Sequence, residues 1–219
     1  MSPQRATAHL RIVNGPEEPG SGRPRAQLDD TTLVAAIARG DVALSAEICE
    51  ALLAVVDRTL VRVLGRRDAD HDDLVQAALE QIVLTICREK FGQRCSLSTW
   101  ASAIASNVGL HAIRKRRVER ALFDVFEDVD DLVTNSRRVA SPEALLVARQ
   151  DLRRVRHHLA HMSERLAHAL VLHDLLGYDV EETAATLRLS VTATQSRLSR
   201  GRRELVRRLL KDEKQRVRK

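Results

Sequence analysis

The 219-residue sequence predicts an all-α fold of two small helical domains joined by an acidic linker, and three observations carry that expectation. Apolar residues recur at three- and four-residue spacing over most of the chain, and almost no stretch alternates as a half-buried strand would. Capping residues and glycines punctuate these runs at helical intervals. Two basic helical blocks are separated by a segment carrying Asp124, Glu127, Asp128, Asp130 and Asp131, followed by Ser141 and Pro142. Such a change of composition marks a domain boundary.

The elements follow in order. Residues 1–28 contain NGPEEPGSGRPR, too rich in Gly, Pro and charge to bury apolar surface against the entropy of ordering, and are expected to be a flexible N-terminal arm. Asp30 is placed to cap DTTLVAAIARG, with Gly40 as its stop, and ALSAEICEALLAVVDRTLVRVL should end at Gly65. DHDDLVQAALEQIVLTICREK predicts a third helix closed by a loop at Phe91 and Gly92, and a fourth starts near Ser98 and turns from apolar to basic along its length. Trp100 shares its helical neighbourhood with Ala103, Ile104 and Asn107 and is read as core.

Beyond the linker, a helix begins near Pro142 and another spans SERLAHALVLHDLLG, with Ser163 as cap and Gly177 as stop. DVEETAATLRL opens with Asp179 and Glu182 at capping-box spacing, and Val180, Ala184 and Leu187 give it a short buried stripe. A tight turn then leads to Ser190, a good N-cap, and to the basic helix SVTATQSRLSRGRRELVRRLL. Val191, Thr194, Leu198, Gly201, Leu205 and Leu209 fall on its inner face, with Thr192, Ser196, Arg197, Arg200, Arg203 and Arg207 broadly opposite. A short helix, a tight turn and a basic helix with small residues at its start have the layout of a helix-turn-helix.

Bulk composition narrows the function. The formal net charge of +6 favours a polyanionic partner, while aromatics at 2% disfavour an extended base-stacking platform. Cys49, Cys87 and Cys95 are odd in number and form no CxxC pair, so no disulfide framework or cysteine metal site is expected. No apolar run reaches the ~18 residues of a membrane span, nor does the N-terminus carry a signal-peptide core, so the expectation is a soluble cytoplasmic chain without membrane insertion. His157 and His161 have i, i+4 metal spacing, but no carboxylate completes HExxH, and no metal or cofactor is expected.

Three segments resemble sigma factors of the extracytoplasmic-function class, the type with only σ2 and σ4 domains. DHDDLVQAAL at 70–79 is similar to D-x-E-D-L-V-Q-E-x-F of region 2.2. STWASAIASNVGLHAIRKRR at 98–117 resembles the region 2.3 to 2.4 pattern of a Trp, then I-A-R-N, then a basic helix end. SERLAHALVLHDLLGYDVEETAATLRLSVTATQSRLSRGRREL resembles region 4, with its short turn and G-T-V-K-S-R-L-x-R-A-R. Departures from these patterns are Ala77 for Glu, Leu79 for Phe, Ser106 for the Arg of I-A-R-N, Thr183 for Ile, Arg188 for the turn Gly, and Thr192 and Gln195 for Gly and Lys.

The resemblance implies a σ2-like domain over 29–120, the linker over 121–141, a σ4-like domain over 142–211 and a basic tail over 212–219. It implies that Asp70, Asp72, Asp73, Leu74 and Gln76 dock on core RNA polymerase. Phe91, Arg94, Asn107, His111, Arg114, Lys115, Arg116 and Arg117 would contact the minus-ten element, with Asn107 the base reader and the helix-end cations on phosphate. Thr192, Ala193, Thr194, Gln195, Ser196, Arg197, Arg200 and Arg203 would meet the minus-35 element. Expected partners are core RNA polymerase, promoter DNA and an anti-sigma factor, with no catalysis by the chain itself. Two readings compete: a free-standing helix-turn-helix regulator, and an HD-type phosphohydrolase suggested by His71-Asp72 and His173-Asp174.

Overall fold

A computed structural model describes residues 30, 34–35, 39, 42–88, 90–123 and 142–216. The expected N-terminal arm, most of the first predicted helix and the acidic residues 124–131 of the linker lie outside the described residues, as do the last three residues of the tail. Among the described residues the ordered elements are helical, as the periodicity predicts.

The first block holds α1 (Val42–Leu64), α2 (His71–Cys87) and α3 (Leu97–Phe123). Leu52, Val56 and Leu60 of α1, Ile82 and Ile86 of α2, and Leu97, Ala101 and Ala105 of α3 are buried together as its core. Each large side chain buried there contributes about 1.5–3 kcal/mol relative to exposure. Small residues on α3 let the helices approach closely: a Cβ on Gly109 would lie 2.9 Å from Val63 Cγ1 of α1. The α1–α2 connection is held by Asp57, whose carboxylate meets His71 Nε2 at 2.8 Å and Arg67 Nη2 at 2.5 Å. Burial pushes the Asp57 carboxyl up, but the bonds to His71 and Arg67 outweigh it and hold its pKa below the usual value. His71 of the first His-Asp dipeptide is thus a buried structural partner of Asp57.

Three local expectations change. Helix α2 ends at Cys87 rather than running to Lys90, because the chain must turn to bury Phe91. The carboxylate of Asp30, expected to cap its own helix, accepts the Leu97 N–H at 2.7 Å and so caps α3 across 67 positions of sequence. Ser163 occupies an N-cap position but makes no side-chain cap bond there.

The second block holds α4 (Pro142–Ala160), α5 (Glu164–Leu170) continuing through a π turn at Val171–Leu175, α6 (Val180–Leu187) and α7 (Val191–Arg216). The capping box is formed in both directions: Glu182 N–H donates to Asp179 Oδ1 at 2.7 Å, and Asp179 N–H to Glu182 Oε2 at 3.0 Å. The turn to α7 passes through Arg188 at φ 54°, a left-handed conformation that disfavours a residue with a Cβ. Ser190 Oγ then accepts the Ala193 N–H at 3.2 Å and starts α7. Thr194, Leu198 and Gly201 face inward as predicted, but Val191, on the first turn, is 38% exposed.

The cores of the two blocks are not independent. Val63 of α1 and Leu110 of α3, both essentially fully buried, join Leu159, Met162, Leu170, Val171 and Leu198 of the second block in one cluster. Arg156 of α4 reinforces this seam by donating to the carbonyls of Val63 at 3.0 Å and Arg62 at 3.1 Å, the last turn of α1. A cation that satisfies free carbonyls at a helix C-terminus also complements the helix dipole. Gly65, at φ 84°, makes room for it: a Cβ there would sit 2.5 Å from the guanidinium.

Candidate nucleic-acid interface

Helix α7 presents two faces of opposite character. Its inner stripe, Thr194, Leu198 and Gly201, packs on α5, where a Cβ at Gly201 would be 3.1 Å from Leu170 Cγ. The Thr194 hydroxyl, one of the predicted DNA contacts, donates inward to the Ser190 carbonyl at 3.0 Å and is fully buried. The outer face exposes Thr192, Ala193, Gln195, Ser196, Ser199, Arg200 and Arg203, of which Gln195, Ser196, Ser199, Arg200 and Arg203 line one shallow cleft.

Charge is distributed along the same division. Arg200 and Arg203 make only own-helix bonds, to the Ser196 carbonyl at 3.3 Å and the Ser199 carbonyl at 3.4 Å, and form no ion pair among the described residues. Arg202 instead donates to both Asp174 oxygens, which raises its pKa and ties α7 to the π turn. Arg197 is half-buried; burial lowers its pKa, and the neighbouring Arg165 and Arg200 lower it further. An exposed, cleft-forming polar edge followed by carboxylate-free arginines can serve base edges and phosphates respectively.

Helix α3 is arranged differently. Asn107 and Arg114 are half-buried, Arg114 beside His168 of α5, and among the described residues Asn107 Oδ1 and both terminal nitrogens of Arg114 are enclosed without a hydrogen-bond partner. His111 Nε2 lies 3.3 Å from Glu164 of α5, and Arg117 donates to the Ala160 carbonyl at 2.9 Å. Arg116 pairs with Asp68 at 2.6 Å and with Asp70, so one predicted phosphate contact holds one predicted polymerase contact. Lys115 is exposed beside Glu119, and Arg94 is exposed on the loop before α3. Phe91 is buried with its ring 4.9 Å from that of Trp100, at the base of that loop.

The predicted docking residues frame a second surface. Asp72, Asp73 and Gln76 are exposed on α2, while Leu74 is partly buried against the first core. Between α1 and α2 runs an apolar groove lined by Cys49, Leu53, Val75, Leu79, Val83 and Leu84, with Asp72, Gln76 and Glu80 at its rim. Leu53 and Leu84 are 45% and 53% exposed, and neither stood out in the sequence. Their signal was available: Leu84 continues the stripe of Gln76 and Glu80 at four-residue spacing, on the groove side of the helix.

The remaining histidines are structural neighbours. The His157 and His161 rings lie 4.5 Å apart between centroids, tilted at 44°, and among the described residues no cluster of three or more His, Cys, Asp or Glu is arranged to hold a metal. His173 Nδ1 lies 2.7 Å from the Tyr178 carbonyl, and its companion Asp174 is taken by Arg202, so the second His-Asp dipeptide also serves packing.

Two stretches of the chain match known family models. The family model Sigma-70 region 2 matches residues 48–119, and Sigma-70, region 4 matches residues 152–205. The RNA polymerase sigma factor CnrH of Cupriavidus metallidurans is 30% identical over 149 residues, covering 66% of this chain and 75% of CnrH. Among solved structures, CnrH in complex with the cytosolic domain of CnrY is similar at 22% identity and a TM-score of 0.47, covering 84% of this chain and 98% of that one. The sigma factor RpoE in complex with the anti-sigma factor NepR from Bartonella quintana gives 22% identity and a TM-score of 0.43, with 74% of this chain and 94% of that one covered. With both sigma regions matched in order and a relative at this identity, the chain belongs to the sigma-70 family of RNA polymerase sigma factors, in its extracytoplasmic-function type.

Proposed function

We propose that this chain brings core RNA polymerase to a small set of promoters, docking through the α1–α2 groove and reading DNA with α7 and α3. The apolar groove with an acidic rim suits a helical polymerase surface that buries aliphatic side chains and meets the rim with cations. Gln195, Ser196 and Arg197 are assigned to base edges of the minus-35 element, and Arg200 and Arg203 to its phosphates. Asn107 is assigned to a minus-ten base, with Arg94, Arg114 and Lys115 positioning the opened strand on its phosphates. The acidic linker, in this reading, follows the path of nascent RNA, whose charge it matches.

The observation that carries the proposal is the two-sidedness of α7: its inner face is locked into the core, while its outer face offers a polar cleft and, among the described residues, arginines without an ion pair. No covalent chemistry is assigned to the chain. An anti-sigma factor is the expected regulator of a chain in this family, and the site of action is the cytoplasm, where polymerase and DNA reside. No described helix is long and apolar enough to cross a membrane. The test is transcription of a genomic fragment library by core polymerase with and without this protein. New start sites sharing a minus-35 and minus-ten pair are expected; no new start sites, or operator binding without polymerase at the affinity seen with it, would overturn the assignment.

A further inference from the structure

Two of the polar contacts across the seam are made by residues at which this chain departs from the sigma pattern. Ser106, where the pattern carries Arg, lies with its Oγ 3.0 Å from His168 Nε2 of α5. Arg188, where the pattern carries the turn Gly, reaches across to donate to the Lys90 carbonyl. Ser106 is fully buried and donates to the Ala103 carbonyl at 2.9 Å, and that same carbonyl lies 3.1 Å from His168 Nε2. An arginine at 106 would drive a long cation into this closed space, so packing of this kind depends on the small hydroxyl.

What the seam covers is the edge of α3 assigned to DNA. Asn107 adjoins Ser106, Arg114 lies two turns further on, and among the described residues the enclosed polar atoms of both lack partners. Closure therefore carries a desolvation cost that opening recovers, because these groups then meet water or a ligand. We propose that this seam is a latch that closes the second block over the Asn107–Arg114 edge in the free chain, and that protonation of His168 releases it.

The geometry sets the direction. Neutral His168, with its proton on Nε2, satisfies the Ala103 carbonyl and lies within reach of Ser106 Oγ. A second proton makes a buried cation facing Arg114 of α3 and Arg197 of α7, with Arg165 on its own helix. The acid beside it, Glu164, is already shared with His111 of α3. Burial accordingly pushes His168 down by more than the Ala103 bond and Glu164 restore, and Arg114 and Arg197 add to the lowering. Once the blocks part, burial under α3 and the Arg114 charge are removed, and the ring's pKa rises back toward its ordinary value. The open form binds the proton more tightly, so closure is fully present above that value and is lost as pH falls through it toward the lowered one.

The test uses the full chain alone, with donor and acceptor dyes on Glu80→Cys and Glu213→Cys, and with Cys49, Cys87 and Cys95 replaced by Ala. Energy transfer is followed from pH 8 to pH 5.5 beside far-UV helicity, in this background and in its His168→Gln variant, whose amide can still donate to Ala103 but carries no titrating proton. The expected result is a fall in transfer for the His168 chain at constant helicity, with the closed-to-open ratio dropping by up to about tenfold per pH unit below 6.5. The His168→Gln chain should stay at its pH 8 value, which also separates His168 from His157 and His158. Coincident curves for the two chains, or no change in either, would overturn the latch. The latch rests on the geometry of the free chain, and only its consequence for promoter DNA rests on the proposed function. Because no polymerase or DNA is present, this experiment fails or succeeds independently of that reading.

Discussion

Helices α3 and α7 are the two long basic helices of the chain, and they treat their charge in opposite ways. On α7 the apolar stripe is buried and the polar face looks outward, with Arg200 and Arg203 unpaired among the described residues. On α3 the edge bearing Asn107 and Arg114 is turned into the seam, and Arg116 and Arg117 are engaged by Asp68, Asp70 and the Ala160 carbonyl. Similar composition therefore gives one helix whose polar face is open and one whose polar edge is covered. Under the proposed function the open face is the one assigned to duplex DNA and the covered edge the one assigned to the opened strand.

The largest expected effect breaks the seam at its apolar centre. Leu110→Ala removes a fully buried side chain from the cluster shared by both blocks and should cost about 2–5 kcal/mol, lowering the stability of both together. Ile82→Ala, confined to the first core, should cost a similar amount but leave the second block's protection from hydrogen exchange intact at its own level. No loss of protection in the second block from Leu110→Ala would show that the seam adds no coupling of its own.

Next in size is the loss of docking, which keeps both reading helices but removes their delivery. Leu84→Arg, on the exposed wall of the groove, should weaken core-polymerase binding by about 2 kcal/mol or more with helicity unchanged. It is a cleaner probe than Leu74, which is partly buried against the first core. Undiminished capture of core polymerase by the variant would move docking off this groove.

The open face of α7 is tested at smaller scale. Gln195→Ala should cost about 1–3 kcal/mol at particular minus-35 base pairs. Arg200→Ala and Arg203→Ala should weaken all promoters alike, each reducing the salt slope by about 0.9 for every phosphate left without its cation. Base-preference profiles that are identical for all three variants would remove the division between reading and positioning.

The smallest effect has opposite signs in two places. Arg188→Gly relieves a left-handed residue and should stabilise the second block by about 1 kcal/mol in thermal unfolding. It also removes the donor to the Lys90 carbonyl, so the dye pair across the seam should report a more open chain. A variant that is no more stable would remove the strain at Arg188, and one that is equally closed would remove the role of its bond to Lys90.

What the sequence made legible was mostly local. The capping box at Asp179 and Glu182, the Ser190 cap and the stops at Gly65 and Gly177 all depend on residues within a few positions of one another, and the periodicity of α7 fixed its inner face. The positive φ of Arg188 was also readable, because a known glycine position held another residue. Asp30 capping α3, Arg156 capping α1 and Arg116 bridging Asp68 and Asp70 were not readable, since each joins residues far apart whose meeting is decided by packing. For the same reason the division at the linker did not reveal a core shared across it: Val63 and Leu110 have the pattern of any buried helical residue, and nothing in one chain's pattern states what buries them. The α1–α2 groove was half legible, through Asp72 and Gln76, because an exposed leucine differs from a buried one only by what packs on it.

The central claim is that α7 is ready while α3 is covered, and side-chain oxidation footprinting of the free chain and of the chain bound to core polymerase, without DNA, tests it directly. Low reactivity is predicted for Leu110 and Arg114 of α3 and for His168 in the free chain, rising several-fold on polymerase, with Gln195, Arg200 and Arg203 of α7 reactive in the free chain already. High reactivity of Leu110 and Arg114 in the free chain, at the level reached on polymerase, would contradict it.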